Sequence, residues 1–217
     1  MSGNEKLERA KPILFNTKMV RAILDGRKLV TRRIVKYTRH DVYGAACAKG
    51  LWSEAYDPSN HPERLVEWFV REMARPPYRP GDILYVRETW NTLIGDFIYK
   101  ADQKPGFKNT GKWRPSIHMP REAARIFLRV TDVKVERLQE IDGYGILAEG
   151  IDNGSSNPSM GKRWENMQRI AFQDLWDSTV KSPVDRALYG WEANPWVWVI
   201  GFERSGRAPR IGGGDQV

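Results

Sequence analysis

Gly26-Arg27-Lys28-Leu29-Val30-Thr31-Arg32-Arg33 sets a lysine, a hydroxyl and paired guanidiniums at short fixed spacings behind a glycine. The segment before it, Thr17 to Leu24, places Met19, Val20, Ile23 and Leu24 on one helical face, with Lys18, Arg21 and Asp25 elsewhere. Asn16 or Thr17 can cap that helix and Gly26 can end it, because glycine takes the left-handed conformation that helix ends use. The cations therefore follow a helix stop and lead into an extended segment, about Leu29 to Lys36. In an uninterrupted strand, residues three apart project to opposite faces, so Lys28 and Thr31 converge only if the backbone turns between them.

Charge is concentrated in the same region. Residues 1–50 hold 12 Lys plus Arg against 4 Asp plus Glu, whereas the rest of the chain holds 23 of each, so the net charge of +8 lies in the N-terminal quarter. A localised cationic region attracts phosphates and loses its pull as salt rises, which favours a nucleic-acid or nucleotide partner over a bare solvated face. Cys47 is the only cysteine, so no disulfide can form within the chain. The longest apolar run, Trp196 to Ile200, is too short to cross a bilayer, and the polar start lacks a signal-peptide core. A cytoplasmic protein without membrane contact is expected. His40, His61 and His118 are scattered and make no cluster with Cys47 at zinc-ligand spacing, so no metal and no cofactor are expected.

Lys11 to Phe15 reads as a strand. Tyr37 to Asn60 reads as loop-like, and Pro62 to Ala74 as a helix through Leu65, Phe69 and Met73. From Gly81 to Trp90 a strand is expected, with Leu84, Val86, Glu88 and Trp90 on one face and Tyr85 and Arg87 on the other; Phe97 to Ala101 is its partner. Ile126, Leu128 and Val130 alternate on even positions but Val133 and Val135 on odd ones, so a β-bulge is expected near Thr131-Asp132. Ile141 to Glu149 is a glycine-interrupted helix candidate, and Gly150 to Gly161 a polar loop. Trp164 to Trp176 has a helical stripe through Met167, Ile170, Ala171, Leu175 and Trp176, and Trp196 to Arg204 reads as a closing strand. Residues 1–10 and 205–217 read as flexible tails.

Gly26-x-Lys28-x-x-Thr31-x-Arg33 resembles the signature of the ASCH domain of the PUA-like superfamily. Pro80-Gly81-Asp82 through Trp90, Trp113 to Pro120, and Ala148-Glu149-Gly150-Ile151 add to the resemblance in the same order. The chain most resembles ASCH-like proteins of phages and prophages, some labelled morphogenetic. What this implies is an α+β class PUA-like small β-barrel with flanking helices: one domain over 11–204, with a helical insertion at about 37–78. By resemblance to the small N4-acetylcytidine amidohydrolases, Lys28, Thr31 and Glu149 would be the catalytic set. Many ASCH members carry glutamate where Thr31 stands, so the hydroxyl favours catalysis.

The chemistry suits such a role: amide hydrolysis needs a nucleophile, a proton carrier and a holder for the oxyanion. Thr31 could attack if Lys28, depressed by burial or by neighbouring arginines, took its proton, with Glu149 protonating the leaving base or placing a water. Ligand-contact candidates are Arg33 for phosphate or base edges, Arg87 and Glu88 as an ion pair beside a stacking Trp90, and Arg114, Ser116, His118 and Arg125 further on. Three alternatives stand beside the hydrolase: a non-catalytic reader of RNA or a modified base, a ribonuclease, and a phage assembly or host-takeover factor.

Overall fold

The computed structural model describes residues 9–51, 62–104, 111–151, 159 and 161–205. The expected tails fall almost wholly outside these residues, as does most of the polar stretch from Gly150 to Gly161. Strands run over Lys11–Leu14 (β1), Val30–Ile34 (β2), Ile83–Arg87 (β3), Trp90–Leu93 (β4), Asp96–Tyr99 (β5), Phe127–Arg137 (β6) and Trp196–Ser205 (β7). Helices run over Thr17–Leu24 (α1), Arg39–Ala48 (α2), Pro62–Trp68 (α3), Gly143–Ala148 (α4), Lys162–Thr179 (α5) and Pro183–Tyr189 (α6). The α+β class is as expected.

The main sheet has the order β1-β3-β6-β7-β2, parallel between β1 and β3 and antiparallel elsewhere. It is not a closed barrel: β1 and β2 are its two edges and share no backbone ladder. Pro12, which has no N–H to give, is tolerated in β1 because that strand is an edge. The sheet curls far enough for Arg33 Nη2 to donate to the Leu14 carbonyl at 2.8 Å, so a side chain stands where a barrel would have rungs. The curl depends on β6. Its pairing with β7 shifts register between Val130 and Asp132, so Thr131 is the extra residue of a bulge and the inward parity changes there as the sequence pattern requires.

Leu84, Val86, Glu88 and Trp90 are buried, the inward face expected of that segment. The core gathers Ile13, Phe15, Val20, Ile23, Val35, Val70, Leu84, Val86, Leu128, Ile200 and Phe202 between the sheet, α1 and the turn after α3. A second cluster, with Ile141, Ile146, Phe172, Trp176, Trp191 and Val199, packs α4 and α5 on the other face. Gly143 explains the glycine interruption in α4: a Cβ there would overlap the Trp164 ring.

Three expectations change. The stretch after Tyr37 contains α2, started by a Thr38–Asp41 capping box and anchored by Val42 and Ala46 against Leu65 of α3. Its apolar stripe is too narrow to show as periodicity. The helix expected over Pro62 to Ala74 is α-helical only to Trp68 and ends in a π turn, Phe69–Met73, which sends Val70 into the main core. Helix α5 exists, but its buried stripe is Trp164, Gln168, Phe172 and Trp176, at strict four-residue spacing, while Met167 and Ile170 are exposed. The large rings decide which face turns inward.

Candidate functional site

Helix α1 begins with the Asn16 side chain accepting from the Met19 N–H at 2.9 Å, and ends with Gly26 at φ 73°. Past that glycine the Arg27 and Lys28 N–H groups both donate back to the Ala22 carbonyl, and Leu29 N–H donates to Ala148 O at 2.8 Å. The chain therefore turns before β2 starts at Val30. Lys28 sits on an isolated bridge with Glu149 rather than in the strand, which frees it from the strand's alternation. This removes the geometric obstacle to bringing Lys28 and Thr31 to one region.

Lys28 is 1% exposed, and its Nζ donates to Glu149 Oε2 at 2.5 Å and to the Glu149 carbonyl at 2.9 Å. The other carboxylate oxygen accepts from Arg32 Nη1 at 3.2 Å, and Arg32 also donates to Glu136 Oε1 at 2.7 and 3.0 Å. Lys134 adds a further contact to Glu136 at 3.1 Å. Charges thus alternate through Lys28, Glu149, Arg32, Glu136 and Lys134. Burial pushes the Lys28 ammonium below its ordinary value of 10.5; the Glu149 carboxylate opposes this, and Arg33 and Arg32 reinforce it. Gly150, at φ 80°, lets the backbone come this close, since a Cβ there would overlap Ala22 Cβ and Lys28 Cβ.

Thr31, Arg32, Arg33 and Glu149 line one cavity, walled by Met19 of α1 and by Phe172, Leu175, Trp176 and Thr179 of α5. Thr31 is buried, and its hydroxyl has no hydrogen-bond partner among the described residues. Lys28 lies behind Glu149 rather than on the wall and makes no hydrogen bond to Thr31. The Lys28 and Arg33 cations both sit over the Phe15 ring, at 5.6 and 5.3 Å. The cavity volume is about 70 Å³. That is room for about two waters at roughly 30 Å³ each, against roughly 300–1,000 Å³ for ligand pockets in general.

No protein-family model matches the chain, and a sequence search among curated proteins finds no match. Among solved structures, the chain is similar to the ASCH domain from Lactobacillus crispatus JV V101. The identity is 10% and the TM-score 0.37, over 94% of this chain and 86% of that one. No site residue is carried over from it.

The remaining residues singled out in the sequence lie elsewhere, since none of Arg87, Glu88, Trp90, Arg114, Ser116, His118 and Arg125 lines the cavity of Thr31 and Glu149. Arg87 and Glu88 point apart as their parity requires. Arg87 donates to the carbonyls of Met119, at 3.0 Å, and Ile117. Glu88 is held in a fork by Arg125 at 2.8 and 3.0 Å. Burial raises the Glu88 pKa above its ordinary 4.5, against the pull of Arg125. Trp90 packs with Met119 and Ala123 in a small cluster. Ser116 and His118 belong to one 3-10 turn, Ser116–His118.

Arg32 and Glu136 are the components that sequence reading missed. Arg32 was visible only as one arginine of a pair, and no local pattern links it to a glutamate 104 residues away. Among the described residues, no group of three or more His, Cys, Asp or Glu could hold a metal ion, and no helix is long and apolar enough to cross a membrane.

Proposed function

We propose that the protein has a nucleic-acid-related role, and that it hydrolyses an acylated exocyclic amine of the N4-acetylcytidine type at Lys28, Thr31 and Glu149. One observation carries this reading. The 2.5 Å contact of Lys28 Nζ with Glu149 Oε2 joins groups 121 residues apart, beside a buried hydroxyl that has no hydrogen-bond partner among the described residues. The motif resemblance over 11–204, with 37–78 as an insertion, supports the same reading.

The roles in this proposal differ from the first expectation. Glu149 takes the hydroxyl proton in this reading, supported by the cavity it shares with Thr31 and that Lys28 does not line. Thr31 Oγ1 would bond to the acyl carbon, its proton passing to Glu149, while the Arg33 guanidinium faces the developing oxyanion. Collapse breaks the carbon–nitrogen bond, and the leaving amine takes the proton from Glu149. Water then adds to the threonyl ester, giving acetate and free Thr31. Lys28 and Arg32 hold the carboxylate in position through these steps.

The second reading is a binder without turnover, with the basic N-terminal region on the backbone and the pocket holding one extruded base. The cationic excess of residues 1–50 supports it, while the 70 Å³ volume bears on both readings alike, because a base or a nucleoside enters that cavity only if its walls move apart. No specific observation favours a ribonuclease or an assembly factor. The deciding experiment is incubation with N4-acetylcytidine, following cytidine and acetate. Release is expected, falling by about two to four orders of magnitude in Thr31→Ala and in Glu149→Gln. Absence of cytidine with folded wild-type protein overturns the hydrolase.

A further inference from the structure

A larger hollow lies beside the β4–β5 hairpin. Its volume is about 420 Å³, and it is lined by Leu93, Phe97, Ile98, Tyr99 and Trp113, with Asp102, Gln103 and Lys104. Ladder pairing from Trp90↔Tyr99 to Leu93↔Asp96 stiffens the hairpin. Trp113 is held beside it because its neighbour Arg114 exchanges both backbone hydrogen bonds with Trp90, at 2.8 and 3.2 Å. The aromatic lining is therefore presented by fixed backbone.

The hairpin keeps apolar surface in water. Leu93 and Phe97 are exposed, and Ile94 at the tip is 97% exposed with φ 51°. A β-branched residue in the left-handed region is strained, and such strain concentrates where a segment has a task beyond stability. Lys104 lines the hollow, and Lys100, Lys112 and Arg114, which adjoin the lining residues Tyr99 and Trp113 in the chain, are exposed. The acidic residues of the same stretch are Asp96 and Asp102, and Asp102 is already met by Arg125 Nη1 at 2.5 Å. Aromatic side chains with exposed cations beside them in the chain match a run of phosphates carrying flat bases.

We infer that this hollow binds an unstacked base of a single-stranded nucleic acid whose phosphates lie on Lys100, Lys104, Lys112 and Arg114. The inference rests on the nucleic-acid part of the proposed function and not on turnover. Helix α1 links the two places: Arg21 donates to Ala101 O at 2.8 Å and Gln103 O at 3.1 Å on the rim, while Met19 walls the Thr31 cavity. A strand held on the rim would lie alongside the helix that borders the proposed reaction site.

Fluorescence anisotropy with labelled oligo(U) and oligo(dT) tests this, the two arms separating RNA from DNA. Phe97→Ala and Trp113→Ala are expected to weaken binding about five- to 150-fold each, the usual worth of one stacked base. Lys104→Ala and Lys112→Ala should each flatten the log-log salt slope by about 0.7. These two surface changes keep the inference testable if an aromatic variant fails to fold. Binding by folded Phe97→Ala and Lys104→Ala protein equal to wild type overturns it, as does no binding of either oligonucleotide, which leaves the apolar side chain of a protein partner as the occupant. Failure of this hollow with N4-acetylcytidine release intact defeats this inference alone. Failure of release with hollow-dependent binding intact defeats the hydrolase alone.

Discussion

Glu149 and Glu88 are both buried carboxylates met by cations, and of the two only Glu149 lines one of the cavities described above. Glu149 is 5% exposed, accepts from Lys28 and Arg32 on separate oxygens, and shares its cavity with the hydroxyl of Thr31. Glu88 is 1% exposed, is closed in the fork of Arg125, and borders neither that cavity nor the aromatic hollow. Arg125 in turn covers the Tyr99 ring at 3.8 Å and reaches Asp102. A buried ion pair is thus a structural device by default. What singles out Glu149 is the cavity that it lines together with the Thr31 hydroxyl.

The largest effect that sharpens this contrast is on stability. Lys28→Ala leaves Glu149 buried with Arg32 as its one cation, and a loss of about 3–5 kcal/mol is expected in urea unfolding. Glu88→Ala strands Arg125, which is partly exposed and keeps Asp102, so about 1–3 kcal/mol is expected. A reversed order would break the ranking of the two sites by burial.

Next in size is the pH response, where the two sites bend the curve in opposite directions. Because the Glu88 pKa is raised, its contribution is present below 4.5 and lost as pH rises through the native value. Glu88→Gln should therefore flatten the decline in stability just above pH 4.5. The Lys28 pKa is lowered, so between its native value and 10.5 the unfolded chain binds more protons and stability rises with pH. Lys28→Met should remove that alkaline rise; an unchanged alkaline limb in unfolding scans would refute the assignment. The smallest effect is at the exposed Arg129–Glu203 pair, where Arg129→Ala should cost no more than about 1 kcal/mol, giving the baseline for an ion pair in water.

Much of the frame was legible because it depends on neighbours in the chain. The α1 stripe, the Gly26 stop, the alternation from Leu84 to Trp90 and the parity slip at Thr131 are all local patterns, and each appears in the fold. Helix α6 was missed, since its start rests on the Ser182 cap and it buries no residue that would give it a stripe. The buried face of α5 depends on where Trp164 and Phe172 find room, which periodicity does not contain. At the site, the meeting of Lys28 with Glu149 came from the resemblance alone. The reason for the glycine after it is a close approach to Ala22 and Lys28 that only three dimensions reveal. Barrel closure failed as an expectation because strand count does not say whether the end strands meet.

The unladdered seam between β1 and β2 has a mechanical consequence. Arg33 spans it with one bond to Leu14 and a cation–ring contact on Phe15, and the same guanidinium lines the small cavity. Prying the seam apart would break no rung of main-chain pairing, so the molecule is softest where it would have to yield for anything bulkier than solvent to enter. Where a finished barrel would have main-chain pairs, this one has a single guanidinium bridging its two edge strands.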